Sequence, residues 1–154
     1  MAIALLGQRR RQEALEYARE SLELARKSGG LEYLGRSWRV LGMIAAQSPS
    51  RTVFLPEEIS ASSETALTPK KEFRASQCFA LSQESFLKIG NAGDLARTRR
   101  EWAQFELHHG DPVIGQDLWN QAYASFDRLG MQDELKRMQV ENLTSGDHGE
   151  RGIP

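Results

Sequence analysis

The chain has 154 residues, of which 40% are hydrophobic and 27% are charged, a composition typical of one soluble domain. Its formal net charge of −1 favours neither nucleic acid nor an acidic membrane surface as a partner. The single cysteine excludes an internal disulfide framework, and no run approaches the roughly 18 apolar residues of a membrane span. We therefore expect a cytoplasmic protein that binds neither nucleic acid nor membrane.

The N-terminal stretch is predicted to be helical. Residues 1–7 are interpreted as the tail of a truncated first helix, and residues 10–27 as a complete second helix. Two explanations stay open, a worn terminal repeat and a chain that is a fragment of a longer protein. The apolar character of residues 3–6 favours the second, because an N-terminal capping helix should be polar on its outer side. The basic run at residues 9–11 is interpreted as a solvated helix start offset by nearby glutamates.

Residues 31–47 form the next predicted helix, and residues 48–70 are predicted to be an inserted loop. Three prolines and eight serines or threonines in this insertion favour a loop. Val53, Phe54, Leu55 and Ile59 are apolar enough to fold back on the helices, which is our expectation. Contact with a partner is the alternative, because insertions between helical repeats often lie on the binding face.

The C-terminal half is predicted to be helical as well. A helix over residues 73–89 is followed by two amphipathic helices within residues 94–130, joined by a turn at Gly110-Asp111-Pro112. Residues 132–143 are predicted to form a last amphipathic helix that caps the domain. Residues 144–154 have no apolar period, so we expect a disordered tail there.

The predicted helices share a residue pattern. The first helices of two pairs align as Arg36-x-Trp38-Arg39-x-Leu41-Gly42 with Arg97-x-Arg99-Arg100-x-Trp102-Ala103. The second helices align on the small residues Ala14, Cys78 and Gly115. Fifteen positions after each of them comes a glycine that should end the helix, at Gly29, Gly93 and Gly130. The spacing is 37 between Cys78 and Gly115 but 64 between Ala14 and Cys78, which reflects the insertion.

The helix-turn-helix period, with Trp38-x-x-Leu41-Gly42 and Ala14-x-x-x-Ala18-x-x-Ser21-Leu22, resembles the tetratricopeptide repeat (TPR) family. The resemblance covers residues 1–143. It implies an all-α fold, a right-handed α-solenoid of about three TPR-like repeats with an inserted loop and a C-terminal capping helix. Trp102-Ala103 departs from the Leu-Gly of the family motif, and Gly115 replaces a small alanine. An ordinary helical bundle is the alternative fold.

A narrower resemblance concerns the segments LGRSWRVLG, CFALSQESF and LARTRREWAQFELHHGD. They look like the C-terminal repeats of bacterial multidomain signalling proteins. In that family the repeats follow an ATPase module and often a nucleotide cyclase, kinase or DNA-binding domain, none of which lies in this chain. The resemblance implies a protein-binding scaffold within a larger signalling or transcriptional regulator. A regulatory arm that senses a small ligand is the alternative function.

Signatures of catalysis are absent from the sequence. It contains no glycine-rich phosphate loop and no HExxH motif, and the Ser85-x-x-Lys88 match falls on the packing face of a helix. His108 and His109 point about 100° apart on a helix, which is a poor start for a metal site. Cys78 occupies a packing position and is expected to be a buried, inert thiol. We therefore expect no enzyme activity, no metal and no cofactor.

The aligned arginines are the candidate binding residues. In the TPR family first helices line a concave groove, and the positions of Arg36 and Arg39, and of Arg97 and Arg100, normally face it. The resemblance thus implies a docking groove for a protein or an acidic peptide, formed by Arg36, Arg39, Met43, Arg97, Arg100, Gln104 and His108. The alternative is that these arginines pair with nearby acids such as Glu32, Asp94, Glu101 or Glu106. A homodimer through the solenoid ends is a further expectation.

Overall fold

In the computed structural model, the backbone is described for residues 2–56 and 70–146, and the side chains for residues 7–56 and 70–142. This part of the chain is mostly helical, in agreement with the predicted all-α class. Its helices are α1 (Ala2–Ser28), α2 (Leu31–Gln47), α3 (Ala75–Ile89), α4 (Ala92–His109), α5 (Pro112–Leu129) and α6 (Gln132–Gly146). Two short strands, β1 (Thr52–Pro56) and β2 (Lys70–Arg74), form an antiparallel pair in which Val53 lies opposite Phe73. The chain divides into two compact units, Met1–Asp94 (unit 1) and Leu95–Pro154 (unit 2).

The first helix of unit 1 differs from the prediction. Residues 1–7 and 10–27 were expected to belong to separate helices, but α1 runs without a break from Ala2 to Ser28. Gly7 lies inside this helix, and nothing approaches the position that a Cβ atom would occupy there. Since one glycine costs a helix only about 1 kcal/mol, flanking helix formers carry the structure through it.

The sequence predicted a loop for the inserted segment of unit 1, but part of this segment forms strands. Residues 52–56 and 70–74 form the two-stranded hairpin, and α3 therefore begins at Ala75 instead of residue 73. Val53 and Leu55 are buried, which confirms the expected fold-back, whereas Phe54 between them points to solvent. The Phe73 ring packs against Trp38 of α2, with 5.1 Å between the ring centroids. Residues 57–69, with Ile59, lie outside the described part.

Close approach of α2 and α3 forms the centre of unit 1. A Cβ atom on Gly35 would lie 2.7 Å from the Phe86 ring, and one on Gly42 would lie 2.8 Å from the Phe79 ring. Both phenylalanines are buried, so each glycine makes room for one aromatic ring. The Ser82 hydroxyl donates a hydrogen bond of 2.7 Å to the Gly35 carbonyl across the same contact.

Cys78 lies in the same core, which allows a simple test of the packing. Burial raises the pKa of its thiol to about 12. Because the thiolate is the reactive form, we expect iodoacetamide at about pH 8 to leave Cys78 unmodified in the native protein. Mass spectrometry should show full alkylation only after denaturation in guanidinium chloride. Rapid modification of the native chain would contradict the burial of this side chain.

In unit 2 the core lies where α4, α5 and α6 meet. Its buried hydrophobic cluster consists of Ala96, Ala122, Phe126, Leu135 and Met138. The turn between α4 and α5 is built as predicted, with Pro112 at the first position of α5 and the Asp111 carboxylate capping the helix by accepting from the Val113 amide at 2.9 Å. Helix α6 extends to Gly146, so residues 144–146 are helical and not disordered as expected. The rest of the predicted tail lies outside the described residues.

The glycines that end helices correct the sequence alignment. Gly29, Gly90 and Gly130 have φ values of 70°, 66° and 68°, the left-handed conformation of a helix C-cap. Gly93, which was expected to end α3, lies inside α4. The second helices therefore correspond with a spacing of 40 between Gly90 and Gly130, and the pairing of Cys78 with Gly115 was wrong by three residues.

Candidate docking surfaces

Arg36 and Arg39 of α2 converge on one carboxylate within unit 1. Arg39 donates to Asp94 Oδ1 at 3.1 Å and also to the Asp94 carbonyl, and Arg36 lies 3.6 Å from Asp94 Oδ2 and 2.6 Å from Glu32. Asp94 is itself buried in the first turn of α4, where Asn91 donates to it at 3.0 Å. The Arg39 guanidinium lies 5.5 Å from the centre of the Phe86 ring. Most donors of Arg39 are thus used inside the unit.

Arg97 and Arg100 of α4 converge in the same way within unit 2. Both donate to Glu134 in the first turn of α6, Arg97 at 3.0 Å. The Arg100 side chain is only 4% exposed, and its guanidinium lies 5.5 Å from the centre of the Phe126 ring. Burial by itself would raise the pKa of Glu134. Hydrogen bonds from Arg100 and Arg97 and their charges outweigh burial, so the pKa lies below its ordinary value.

The two arginine clusters have the same parts in the same order. In unit 1 they are Arg36, Arg39, Phe86, Gly90 and Asp94, and in unit 2 they are Arg97, Arg100, Phe126, Gly130 and Glu134. The two arginines are displaced by 61 positions and the other three residues by 40. Sequence reasoning found the arginines but missed Glu134. Its position in the sequence could have indicated this role, because in both units an acidic residue stands four residues after the glycine that ends the preceding helix.

The remaining predicted site residues have local roles. Met43 is partly exposed on α2, one turn after Arg39. Gln104 donates to Glu141 of α6 at 2.6 Å, and His108 Nδ1 lies 2.7 Å from the Gln104 carbonyl. Arg36, with 49% of its side chain exposed, is the most accessible of the four arginines. An acidic peptide at Arg39 or Arg100 would have to displace Asp94 or Glu134, whereas Arg36 could accept it without complete loss of its present contacts.

A groove between α1 and α2 is the clearest open surface in unit 1, and the sequence analysis did not foresee it. It has a volume of about 550 Å³. Its lining is mostly apolar and aromatic, with Arg36 and several hydroxyls at its sides: Tyr17, Ala18, Ser21, Leu24, Ala25, Ser28, Tyr33, Arg36, Ser37 and Val40. Tyr17 is 74% exposed and Leu24 67% exposed. One pattern in the sequence could have indicated this groove, a stripe of uncharged residues at helical spacing: Tyr17, Ser21, Leu24 and Ser28.

A second groove lies between α5 and α6 in unit 2, with a volume of about 470 Å³. Four amide side chains line it, together with Trp119, Tyr123, Ala124 and Met138: Gln116, Asn120, Gln139 and Asn142. These amides can be solvated as they stand. This groove therefore gives weaker reason to expect an apolar partner than the one between α1 and α2.

Comparisons with known proteins add no relative. No family model, no curated protein and no solved structure matches the chain. Within residues 7–56 and 70–142, no group of three or more histidine, cysteine or acidic side chains is arranged to hold a metal ion. No helix in the described part is both long and apolar enough to cross a membrane.

Proposed function

We propose that the chain is a protein-interaction module of TPR-like helical repeats and that it docks an α-helix in the groove between α1 and α2. The observation that carries this proposal is an exposed apolar face on α1, whose equivalents on α3 and α5 are both covered by another helix. The equivalence follows from counting back from the glycines that end each helix, Gly29, Gly90 and Gly130.

The comparison with α3 supports this reading of the α1 face. Tyr17, Ser21 and Leu24 stand at the same distances from Gly29 as Cys78, Ser82 and Ser85 from Gly90. In α3 these three side chains are buried, and the bond from Ser82 to Gly35 identifies α2 as the covering helix. In α1 Tyr17 and Leu24 are exposed and Ser21 is partly exposed, so a helix in the place of α2 is what this face lacks among the described residues.

Unit 2 supports it independently. Leu118 and Ala122 of α5 stand at the positions of Tyr17 and Ser21, and both are buried. Helix α4 covers this face, because Gly115 lies against Leu107 and the Ala103 carbonyl. The position of Tyr17 is buried in both α3 and α5, and that of Leu24 is buried in α3 and partly buried in α5. An exposed aromatic and a leucine at such positions form the kind of apolar patch that marks an interaction site.

The α2 side of the groove fits the same picture. Tyr33 follows Gly29 by four residues, as Asp94 follows Gly90 and Glu134 follows Gly130. Asp94 and Glu134 both reach back to arginines on an earlier first helix. Tyr33 therefore stands where a contact with an earlier helix belongs, and it offers an aromatic ring in place of a carboxylate.

The small side chains of α1 also indicate how large the side chains of the partner helix should be. Ala18 and Ala25 stand at the positions of Phe79 and Phe86, which fill the spaces above the two glycines of α2. With alanines in α1, the fitting helix needs large residues where α2 has Gly35 and Gly42. A partner helix with leucines or aromatics seven residues apart would fill the groove.

In this proposal the scaffold belongs to a larger bacterial signalling or transcriptional regulator, as the sequence resemblance implies, and it carries no catalysis. The binding of an acidic peptide along Arg36, Arg39, Arg97 and Arg100 becomes the weaker part of that expectation. Drawing Asp94 or Glu134 away from its arginines would break the short ion pairs of the largely buried side chains Arg39 and Arg100.

A designed peptide tests the docking of a helix. The probe copies residues 31–47 with Gly35→Leu and Gly42→Leu and carries a fluorescent label. We expect saturable binding by fluorescence anisotropy, weakened about tenfold or more by Leu24→Glu, because a carboxylate would be buried in the apolar groove. The unsubstituted peptide is the matched control and should bind more weakly. The proposal would be contradicted if Leu24→Glu left the affinity for the peptide unchanged, or if binding did not saturate up to about 1 mM peptide.

A small apolar ligand is the second candidate for the same groove. Its volume lies within the range of about 300–1,000 Å³ that is usual for ligand pockets, and Tyr17, Tyr33 and Arg36 supply the few polar groups such pockets contain. The two functions differ in the length of surface they use. Val40, like Tyr17, lies far from the turn between α1 and α2, whereas Ser28 and Tyr33 lie next to it. Val40→Glu should therefore weaken the helical peptide but leave in place a ligand that contacts only Ser28 and Tyr33.

A further inference from the structure

The exposed side of α1 is an uncharged stripe on an otherwise highly charged helix. Ala14, Tyr17, Ser21, Leu24 and Ser28 follow each other at intervals of three or four residues, so they share one face. Arginines, lysines and glutamates occupy most of the other exposed positions, where they form pairs such as Arg9 with Glu13 and Lys27 with Glu23. A second α1 could therefore meet this face without bringing like charges together.

The stripe is also self-complementary in size. Tyr17 and Ala25 each lie four residues from Ser21, and Leu24 and Ala18 each lie three residues from it. Two antiparallel copies of α1, related by a two-fold axis at Ser21, would place each Tyr17 over the partner's Ala25. Each Leu24 would then lie over the partner's Ala18. Ala18 and Ala25 are almost fully buried at the floor of the groove, so each large side chain would fill the space above a small one, which is the condition for close packing.

We propose that the helix that fills the α1–α2 groove is α1 of a second copy of this chain, in a symmetric dimer centred on Ser21. This inference rests on the proposed docking of a helix in that groove and names its occupant. Tyr33 and Val40 of α2 flank the groove and cover the outer side of the incoming helix. The same surface patch serves both copies, so the assembly closes at two.

Helix α6 of a second copy would fit this groove less well. Helix α6 has Lys136 at the position of Gly35 and Ala96, and inserting it would bury an ammonium group in an apolar site. A contact of α6 with α1 would also be head-to-tail and would allow chains of copies to grow. The symmetric α1 pair avoids both consequences.

Cysteine cross-linking tests the two-fold axis. Ser21→Cys places the two new thiols opposite each other, and copper phenanthroline should convert most of the protein to a disulfide-linked dimer. Glu16→Cys, on the opposite side of α1, is the matched control and should remain largely monomeric. The native Cys78 is buried and should not interfere. Equal cross-linking at both positions, or none at Ser21→Cys, would overturn the proposal.

Sedimentation equilibrium between about 5 and 500 μM tests the association itself. The wild-type chain should show a concentration-dependent dimer, and Leu24→Glu should remain a monomer at all concentrations. Val140→Glu, at an exposed apolar position on α6, should dimerise like the wild type. A wild-type monomer throughout, or a dimer abolished by Val140→Glu and not by Leu24→Glu, would refute the α1 interface.

The failure of this inference and the failure of the proposed function are distinguishable. If Ser21→Cys does not cross-link but the designed peptide binds and Leu24→Glu weakens it, the groove docks helices and only the identity of its occupant is wrong. If neither occurs, both proposals fall. If both are correct, adding the peptide should shift the wild-type sedimentation from dimer toward monomer.

Discussion

Replacing Glu134 by glutamine should lower the free energy of unfolding by about 2–3 kcal/mol, the largest effect we expect from a single polar substitution. Glu134 is the carboxylate on which Arg97 and Arg100 converge, and the Arg100 side chain is almost fully buried. The amide keeps the shape of the side chain but leaves the Arg100 charge with only the longer contact to Glu101, at 3.5 Å, in a site that water barely reaches. Urea unfolding followed by circular dichroism measures the change.

A second substitution separates the cost of the unpaired charge from a loss of packing. Arg100→Met in the Glu134→Gln background removes the buried cation and keeps much of the alkyl chain over Phe126. The double variant should be more stable than Glu134→Gln alone, because the two changes act on one interaction. Glu84→Gln, which breaks an exposed pair with Lys88, should cost under about 1 kcal/mol. A Glu134→Gln effect as small as this control would contradict the buried pairing.

The same residue should make stability depend on pH in a defined direction. The pKa of Glu134 is lowered in the folded chain, so its stabilising contribution is fully present above the unfolded value of about 4.3. It is lost as the pH falls through the lower folded value. The stability difference between wild type and Glu134→Gln should therefore be constant between about pH 6 and 7 and shrink below about pH 4.

Gly115→Ala should destabilise the chain by about 1–3 kcal/mol, even though alanine is the better helix former. A Cβ atom on Gly115 would lie 2.8 Å from the Leu107 amide nitrogen and 3.1 Å from the Ala103 carbonyl oxygen. Both are backbone atoms of α4, so no side-chain rotation relieves the overlap and α4 must move away from α5. Thermal unfolding followed by circular dichroism should show a lower midpoint.

Gly7→Ala is the matched control, because Gly7 also lies within a helix but has nothing within 4 Å of the Cβ position. There the gain in helix propensity, about 0.5–1 kcal/mol, should appear without a steric cost. The two glycine-to-alanine changes should thus shift the unfolding midpoint in opposite directions. A Gly115→Ala variant as stable as the wild type would show that α4 and α5 do not pack closely at this point.

Local sequence signals predicted much of the helical structure. The bounds of α2 at residues 31–47 and the turn at Gly110-Asp111-Pro112 were predicted correctly, because apolar periodicity and cap residues act over a few neighbouring positions. The end of α3 at residue 89 was also predicted correctly, but the alignment took Gly93 for its C-cap, because Gly90 and Gly93 are both good candidates. The deciding residue is Asn91, whose side chain accepts from the Asp94 amide and starts α4 before Gly93 is reached.

The β-hairpin and the candidate site depend on contacts between distant residues, which local patterns do not contain. Strand β2 has the sequence KKEFR, and lysine and glutamate are uncommon in strands, so the sequence gives no indication that this segment pairs with β1. Glu134 looked like an ordinary acid in the first turn of a helix, where the helix dipole already explains it. Tyr17 and Leu24 were not among the aligned repeat positions, and only burial showed that nothing in the described residues covers them.

The arginine clusters also impose a direction on folding. Each pair of arginines receives its carboxylate from the first turn of a later helix, 55 positions away for Arg39 with Asp94 and 34 positions away for Arg100 with Glu134. During synthesis the arginines appear first, and their carboxylate follows only when the second helix after theirs leaves the ribosome. Assembly should therefore advance from the N-terminal to the C-terminal end, with each new helix start locking the pair of helices made before it.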